Sequence, residues 1–561
     1  MAFDRPLCFG TGCGIMEQTK EKERNVMRVC LFTLNASYSH SSLSLRCLAV
    51  ALEREGFAVT LCERSLKDKR RGVLEALHKA KADVYGFSCY VWNVSEMMAM
   101  AEQLRLLRPD ATIVFGGPEV SYETEAFFSA CPAADLILAG TGEESLPKLC
   151  HALAERGREA VMAEGRILIA EPYHGFGGQG VPYERYPSDK PMVYYESSRG
   201  CPYACAYCLS AAERGVTAKP AGQVLKELTV FESMPSVKTV KFVDRTFNFD
   251  RDRAIAIWQG LRSEIYTKTY HFEICADLID EDSLACLAQF PKGKVQLEAG
   301  VQSIHADTLR AIHRKPDVTR CLENLKRLKA LGNIHIHADL IAGLPLETLR
   351  GVKESFDAVY PCCHMLQLGF LKLLKGSPLQ EKAADYGIVA SPIAPYEVLK
   401  TDALSFEDLT VLHRIDEVLD RFGNSGHFSQ VLAGVMERIR SPFDFFRSLS
   451  EAADDVGRLS QLDAMRLLLS VCRPLFEGNE QELIGRMRLD YYTHEAGSCP
   501  AFLAGGGELP VAPIRRADCI KKASVHGGTE TCEVHRFAFD AEGYYVIDRK
   551  RHVCFRVTPS L

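Results

Sequence analysis

From residue 28 to about residue 370 the sequence alternates short apolar runs with amphipathic stretches, and no other feature of the chain restricts its fold as strongly. VCLFTL, AVTLCE, DVYGFSCY, TIVFGG and DLILAG are separated by segments such as SLSLRCLAVALEREG and ESLPKLCHALAERG, in which apolar residues recur at helical spacing. Strands separated by helices cannot pair as hairpins, so the five βα units over 28–155 predict a doubly wound α/β domain with a parallel sheet. Residues 157–190, rich in Gly, Pro and Tyr, read as a linker. A second series of six units runs from 192 to about 370, with strands expected at MVYYES, VKTVKFV, YHFEI, KVQLEAG, HIHADLIAG and HMLQLGF. Periodicity alone leaves open whether these form another open sheet or a partial barrel. Beyond about residue 400 the pattern turns mainly helical and ends in the expected hairpin FAFDAEGYYVIDRKRHVCFRV. The first 26 residues are polar and aperiodic. The expected organisation is an N-terminal extension (1–26), a first domain (27–156), the linker (157–190), a second domain (191–410) and a C-terminal domain (411–561).

An apolar content of 47% with 25% charged residues over 561 positions is that of a soluble globular chain. The net charge of −6 gives no general attraction to phosphate backbones, so bulk electrostatics do not suggest nucleic acid. No apolar run approaches the roughly 20 residues needed to span a bilayer, and the start lacks an apolar signal core, so a cytoplasmic protein is expected. In that compartment thiols stay reduced, and the 21 cysteines raise the question of metal rather than of disulfides. Most of them, such as Cys30, Cys62 and Cys286, lie singly in apolar stretches and read as small buried hydrophobes.

One group differs. SSRGCPYACAYCLS, at the end of the first strand of the second series, places Cys201, Cys205 and Cys208 on one tight loop. Three thiolates at such spacing suit three corners of a four-iron four-sulfur cubane and leave the fourth iron open to a substrate atom. Structural zinc would need a fourth ligand nearby, and the closest following histidine is His271.

The CxxxCxxC spacing, with the aromatic Tyr207 before the last cysteine, resembles the radical S-adenosylmethionine superfamily. The resemblance implies a partial (βα)6 barrel whose cluster binds the amino and carboxylate groups of S-adenosylmethionine and yields a 5′-deoxyadenosyl radical. It implies as well a one-electron donor such as a flavodoxin or ferredoxin. Asp244, in VKFVDRTFN, falls where relatives place polar groups that meet the methionine amino group, or else caps the next helix. QLEAGVQSIHADTLRAIHRK is similar to the fourth-strand segment of relatives, and by that match Gln302 and Arg314 approach ribose and carboxylate. ADLIAGLP, with Asp339, Gly343 and Pro345, is similar to the fifth-strand segment that lies along the adenosine. Relatives often carry an acid on the third strand, and the nearest match here is Cys275 beside Asp277.

FGGPE and GTGEE ahead of such a domain resemble the cobalamin-binding domain of the cobalamin-dependent members of this superfamily, and LNASYSHSSLSLR with GFSCYVWN resembles one largely uncharacterised subfamily of it, whose C-terminal region is a domain of unknown function. The implied fold is thus a doubly wound Rossmann-like cobalamin-binding domain, a partial (βα)6 radical S-adenosylmethionine barrel and a mainly helical C-terminal domain. Gly116 and Gly117 would let the nucleotide tail of cobalamin pass against bare backbone, with Ser88 and Glu119 supplying hydrogen bonds or capping helices. Cobalamin domains that hold cobalt by histidine carry Asp-x-His-x-x-Gly after the first strand. Here the loop reads from Asn35 to His40 without that pattern, so cobalt ligation through it is not expected; His40 reads as a surface or hydrogen-bonded histidine, with cobalt ligation as the alternative. The reaction implied is methyl transfer to an unactivated carbon or phosphorus, with radical rearrangement or oxidation, or a non-catalytic carrier, as the alternatives. The C-terminal region, with scattered Cys499, Cys519, Cys532 and Cys554, is expected to cover the open side of the barrel rather than to hold a second metal.

Overall fold

A computed structural model describes residues 26–558 apart from 171–175, 177–179, 212–214, 454, 496, 525–531 and 541; Cys8 and Cys13 lie outside the described residues. The first domain is a parallel sheet of β1 (Arg28–Asn35), β2 (Ala58–Ser65), β3 (Val84–Ser88), β4 (Thr112–Gly116), β5 (Leu136–Ala139) and β6 (Ile167–Ile169) in the order β2-β1-β3-β4-β5-β6. Separate apolar cores cover its two faces, which is why strands such as β1 are buried almost without alternation. The order reverses direction between β1 and β3, and this switch point opens a crevice at the strand carboxyl ends. One expectation is corrected here. The stretch taken as a linker contributes a helix, Arg158–Glu164, and the sixth strand, β6. Three residues are too few for periodicity to register, and pairing with β5 alone makes them a strand.

The second domain contains all six expected strands. They are β7 (Met192–Tyr195), β10 (Thr239–Phe242), β11 (Thr269–Ile274), β12 (Val295–Gln302), β13 (His335–Ala342) and β14 (Met365–Phe370), parallel throughout in the order β14-β13-β12-β11-β10-β7. Between β7 and β10 the short hairpin of β8 (Ser198–Cys201) and β9 (Gly215–Ala218) carries the first cysteine of the group. Burial alternates along β12 and β13. Val295, Leu297, Ala299, Ile336 and Ala338 pack into the main core, while Gln296, Glu298, Gly300, Gln302, His335, His337 and Asp339 occupy the other face. That inner face is polar.

The C-terminal region follows a small hairpin, β15 (Val389–Ala390) and β16 (Val398–Lys400), with the helices Phe406–Val418, Pro442–Glu451, Gln461–Cys472 and Glu480–His494. It ends in an antiparallel sheet, β17 (Glu533–His535), β18 (Tyr544–Asp548) and β19 (Val553–Val557), one strand more than the expected hairpin. Asn424 pairs with both backbone groups of Leu366 on the edge strand β14, accepting from its nitrogen at 3.2 Å and donating to its carbonyl at 2.8 Å. Asp357, on the helix after β13, accepts from Ser441 Oγ at 2.7 Å and Phe443 N at 2.8 Å. The region thus covers the β14 edge of the barrel. Cys519 and Cys532 sit in a small apolar core, and Cys499 and Cys554 pack at the margin of the main one. Among the described residues no helix is long and apolar enough to cross a membrane.

Candidate functional site

Two cavities open at the carboxyl ends of the two sheets. The smaller, about 170 Å³, is lined by Cys201, Cys205 and Cys208 together with Tyr203, Tyr207, Arg245, Thr246, Glu273, Cys275, Glu298, Gly300, Gln302, Arg314 and Asp339. The cysteine loop is held in place by its own backbone and by its neighbours. Asp244 is fully buried and accepts hydrogen bonds from Ser197 N (3.1 Å), Ser197 Oγ (2.7 Å) and the Ser198 hydroxyl, so it anchors the start of the β8 hairpin. It is spent on that task and lies outside the cavity lining. The helix that follows is capped instead by Asp250, which accepts from Arg253 N at 3.1 Å. Ala206 N reaches Ile312 O at 3.0 Å and Leu379 N reaches Ala206 O at 2.8 Å, which ties the middle of the loop to two later segments.

Opposite the thiols, a bulge at the end of β12 shapes the wall. Gln302 takes φ +70°, and its side chain folds back over Gly300, where a Cβ would meet Gln302 Nε2 at 2.3 Å. Arg314 Nη1 lies 3.8 Å from Cys205 Sγ, and Nη2 donates to Gly300 O. Three buried polar atoms here have no protein partner: Gln302 Oε1, Arg314 Nε and Asp339 Oδ1. Unpaired buried polar atoms carry a desolvation cost, and three converging on one cavity mark a place for a polar ligand. Gly343 and Pro345 follow β13, buried and outside the lining.

Beneath this wall the register of β10, β11 and β12 brings charges together. Lys241 Nζ lies 2.9 Å from Glu298 and 3.7 Å from Glu273, and His271 Nε2 is 2.7 Å from Glu298. Burial opposes ionisation of Glu298, but the hydrogen bond with His271 and the charge of Lys241 outweigh it and bring its pKa down to about 2. Burial raises Glu273, and burial together with the charges of Glu298 and Glu273 pushes Asp339 up to about 8. Glu273 also corrects an expectation. The third-strand acid facing the cavity is Glu273, two residues before Cys275; Asp277 lies outside the lining and accepts from Cys275 Sγ at 3.0 Å. Charged residues at the inward positions of HFEI and VQLEAG were the available signal.

The larger cavity, about 640 Å³, lies between the first sheet and the barrel. Ser88, Gly116 and Gly117 line it, with Gly86, Gly140 and Gly142, so glycine backbone forms much of the wall between the ends of β3, β4 and β5, beside Phe87, Phe115 and Leu138. Gly117 (φ +107°) has a second reason to be glycine: a Cβ there would lie 2.4 Å from Cys89 O. Glu119 lies outside the cavity. It is buried, shares a hydrogen bond with Tyr396 OH and sits 3.2 Å from Lys375 Nζ, fastening the loop after β4 to the segment beyond the barrel. His40 lines the cavity; its Nδ1 bonds Tyr194 OH on β7, and burial, then the charge of Lys241, lower its pKa.

A ligand cavity at the switch point of a doubly wound sheet, joined to an open six-stranded barrel with three cysteines at its mouth, is the arrangement expected of a cobalamin-binding domain followed by a radical S-adenosylmethionine domain. Family models agree, matching the B12 binding domain over residues 29–150, the Radical SAM superfamily over 195–359 and a Protein of unknown function (DUF4080) over 384–508. The chain thus carries a B12 binding domain and a Radical SAM domain in tandem. It is 26% identical over 354 residues to the cobalamin-dependent radical SAM methyltransferase TokK of Streptomyces tokunonensis, covering 56% of this chain and 50% of that one. It is 28% identical over 354 residues to 2-(S-pantetheinyl)-carbapenam-3-carboxylate methyltransferase of Streptantibioticus cattleyicolor, covering 55% and 50%. The chain spans about half the length of these curated relatives. Among solved structures, the cobalamin-dependent S-adenosylmethionine radical enzyme OxsB with aqua-cobalamin and S-adenosylmethionine bound shares the fold, with a TM-score of 0.59 at 16% identity over 84% of each chain. The radical S-adenosylmethionine methyltransferase TsrM from Kitasatospora setae does so at a TM-score of 0.54 and 17% identity, over 65% of this chain and 81% of that one.

Proposed function

We propose that the chain is a cobalamin-dependent radical S-adenosylmethionine enzyme that transfers a methyl group to an unactivated centre. The observation that carries this reading is the convergence, in one cavity, of Cys201, Cys205 and Cys208 with the partnerless atoms of Gln302, Arg314 and Asp339. The named relatives, which are methyltransferases, support the choice of methyl transfer over rearrangement.

The residues fit both groups. Three cysteines at a strand end would hold a four-iron four-sulfur cluster, and the planar guanidinium of Arg314 suits a carboxylate beside it. Asp339 and Gln302 offer oxygen atoms to ribose hydroxyls or to an ammonium, and Glu298 stands in the same lining. In the first domain the glycine-lined slot would take the nucleotide tail of cobalamin. Bound there, these cofactors would supply a carbon radical and a transferable methyl group, with the electron coming from a donor such as a flavodoxin or ferredoxin. The chain's own part is to position and to shelter. The β8 hairpin fixes the thiols, Glu119 and its partners hold the two domains against each other, and the inward polar face orients the substrate between the cavities.

The test is anaerobic reconstitution with iron, sulfide and hydroxocobalamin, followed by a strong reductant and S-adenosylmethionine. Formation of 5′-deoxyadenosine and retention of a cobalamin spectrum are expected, with S-adenosylhomocysteine accumulating once a substrate is supplied. Failure to form 5′-deoxyadenosine in protein that holds its iron would defeat the reading.

A further inference from the structure

A buried cation joins the larger cavity to the cysteine hairpin: Arg199, which lines that cavity together with Glu143 and Glu196. Arg199 lies on β8, two residues before Cys201. Its Nε donates to Glu196 at 2.9 Å and its Nη2 to the second oxygen of Glu196 at 2.6 Å; the same Nη2 donates to Glu143 of the first domain at 2.7 Å. All three side chains are largely buried, Glu143 to an exposure of 11%. A guanidinium grips one carboxylate best in a two-point fork, and Glu196 already takes that grip. Glu143 therefore competes for a nitrogen that Glu196 also uses, and one cation serves two buried carboxylates belonging to different domains.

Both ends of this bridge lie in the lining of the larger cavity, and one of them leads on along β8 to Cys201. Glu143 stands in the first turn of the helix Gly142–Arg156, whose leading residues Gly140, Thr141 and Gly142 line the larger cavity with it. That turn packs against the helix Leu43–Arg54, since a side chain at Gly142 would meet Leu48 Cδ2 at 2.7 Å. At the other end Gly200, with φ +91°, presses against its hairpin partner so closely that a Cβ would lie 2.1 Å from Gly215 O. Arg199 and Cys201 share this short strand, so displacing Arg199 displaces the backbone that carries Cys201.

We propose that Arg199 is a positioning residue that links occupancy of the first-domain cavity to the setting of the cysteine hairpin, by dividing its guanidinium between Glu143 and Glu196. A ligand that presses on the Gly140–Glu143 turn alters Glu143's share, and the strand leading to Cys201 responds; by linkage, a filled cysteine site changes affinity for the first-domain ligand equally. The inference rests on the cobalamin reading above.

Absorbance titration of the full chain with hydroxocobalamin, with the cluster reconstituted and with it stripped, measures the coupling as the ratio of the two dissociation constants. A ratio of about fivefold or more, in either direction, is expected for the natural chain, at the lower end of ordinary coupling energies. Glu143→Gln and Arg199→Gln should bring the ratio to about one while iron analysis still shows a full cluster, and Arg199→Lys, which keeps the charge without the fork, should fall between. Should Arg199→Gln fail to assemble a cluster, Glu143→Gln, in the other domain, decides alone. A ratio of one in the natural chain, or an unchanged ratio in Glu143→Gln, overturns the inference and leaves the cobalamin reading standing. Absence of any cobalamin binding removes both.

Discussion

Replacing Lys241 by Met keeps the aliphatic stem and removes the cation that Glu273 and Glu298 share. At an effective dielectric near 20, separations of 3.7 and 2.9 Å correspond to about 4 and about 6 kcal/mol of attraction. Most of this is offset by the cost of desolvating the lysine, and side-chain exposures of 21–32% call for further discount. Breaking a buried pair leaves the partner uncompensated, and a loss of about 3 kcal/mol from barrel stability is the expected outcome. The barrel can be followed selectively, because of the chain's two tryptophans Trp258 is fully buried in the barrel core and Trp92 is 49% exposed in the first domain. The pH dependence has a definite sign. Burial already raises Glu273, and without Lys241 it rises further, so the variant folds with a carboxyl that prefers its proton. A raised carboxyl contributes stability below its unfolded pKa and loses it as pH rises through the folded value, so the deficit should be larger at about pH 8 than at about pH 5. Urea titration of Trp258 fluorescence measures it. A deficit below about 1 kcal/mol, the range of exposed ion pairs, or one that does not change with pH, would refute the electrostatic argument.

Changing Cys201, Cys205 and Cys208 together to Ala should abolish bound iron after reconstitution; full iron content in the triple variant would remove the cluster from this loop. Gly117→Ala should weaken hydroxocobalamin binding by about tenfold or more (~1.4 kcal/mol), because its Cβ must displace the Cys89 backbone that frames the cavity, and an unchanged dissociation constant counts against that slot. Asp339→Asn should stabilise the ligand-free protein by an amount that grows from about pH 4 to about pH 8 and then levels, since the native carboxyl holds its proton to about 8 while the unfolded one loses it near 4. The same variant should bind S-adenosylmethionine more weakly by equilibrium dialysis.

Much of this protein is legible in local patterns. Strand–helix alternation is set by residues a few positions apart, so the parallel sheets and all six barrel strands follow from the chain itself, as do three thiols spaced to meet on one loop. Local spacing is silent where a role depends on which strand lies alongside. Glu273, Glu298 and Lys241 belong to three strands, and only the register that pairs β10 with β11 and β11 with β12 makes them one charged group. Asp244 and Glu119 have the composition of ligand contacts, yet burial beside Ser197 and Tyr396 spends their oxygens on holding the protein together. β6 exists because β5 offers it unpaired backbone groups. Short-range sequence determined the elements and the cysteine loop, whereas tertiary contact decided which polar groups remained without partners, since the partner of a buried charge is chosen by proximity in space and not along the chain.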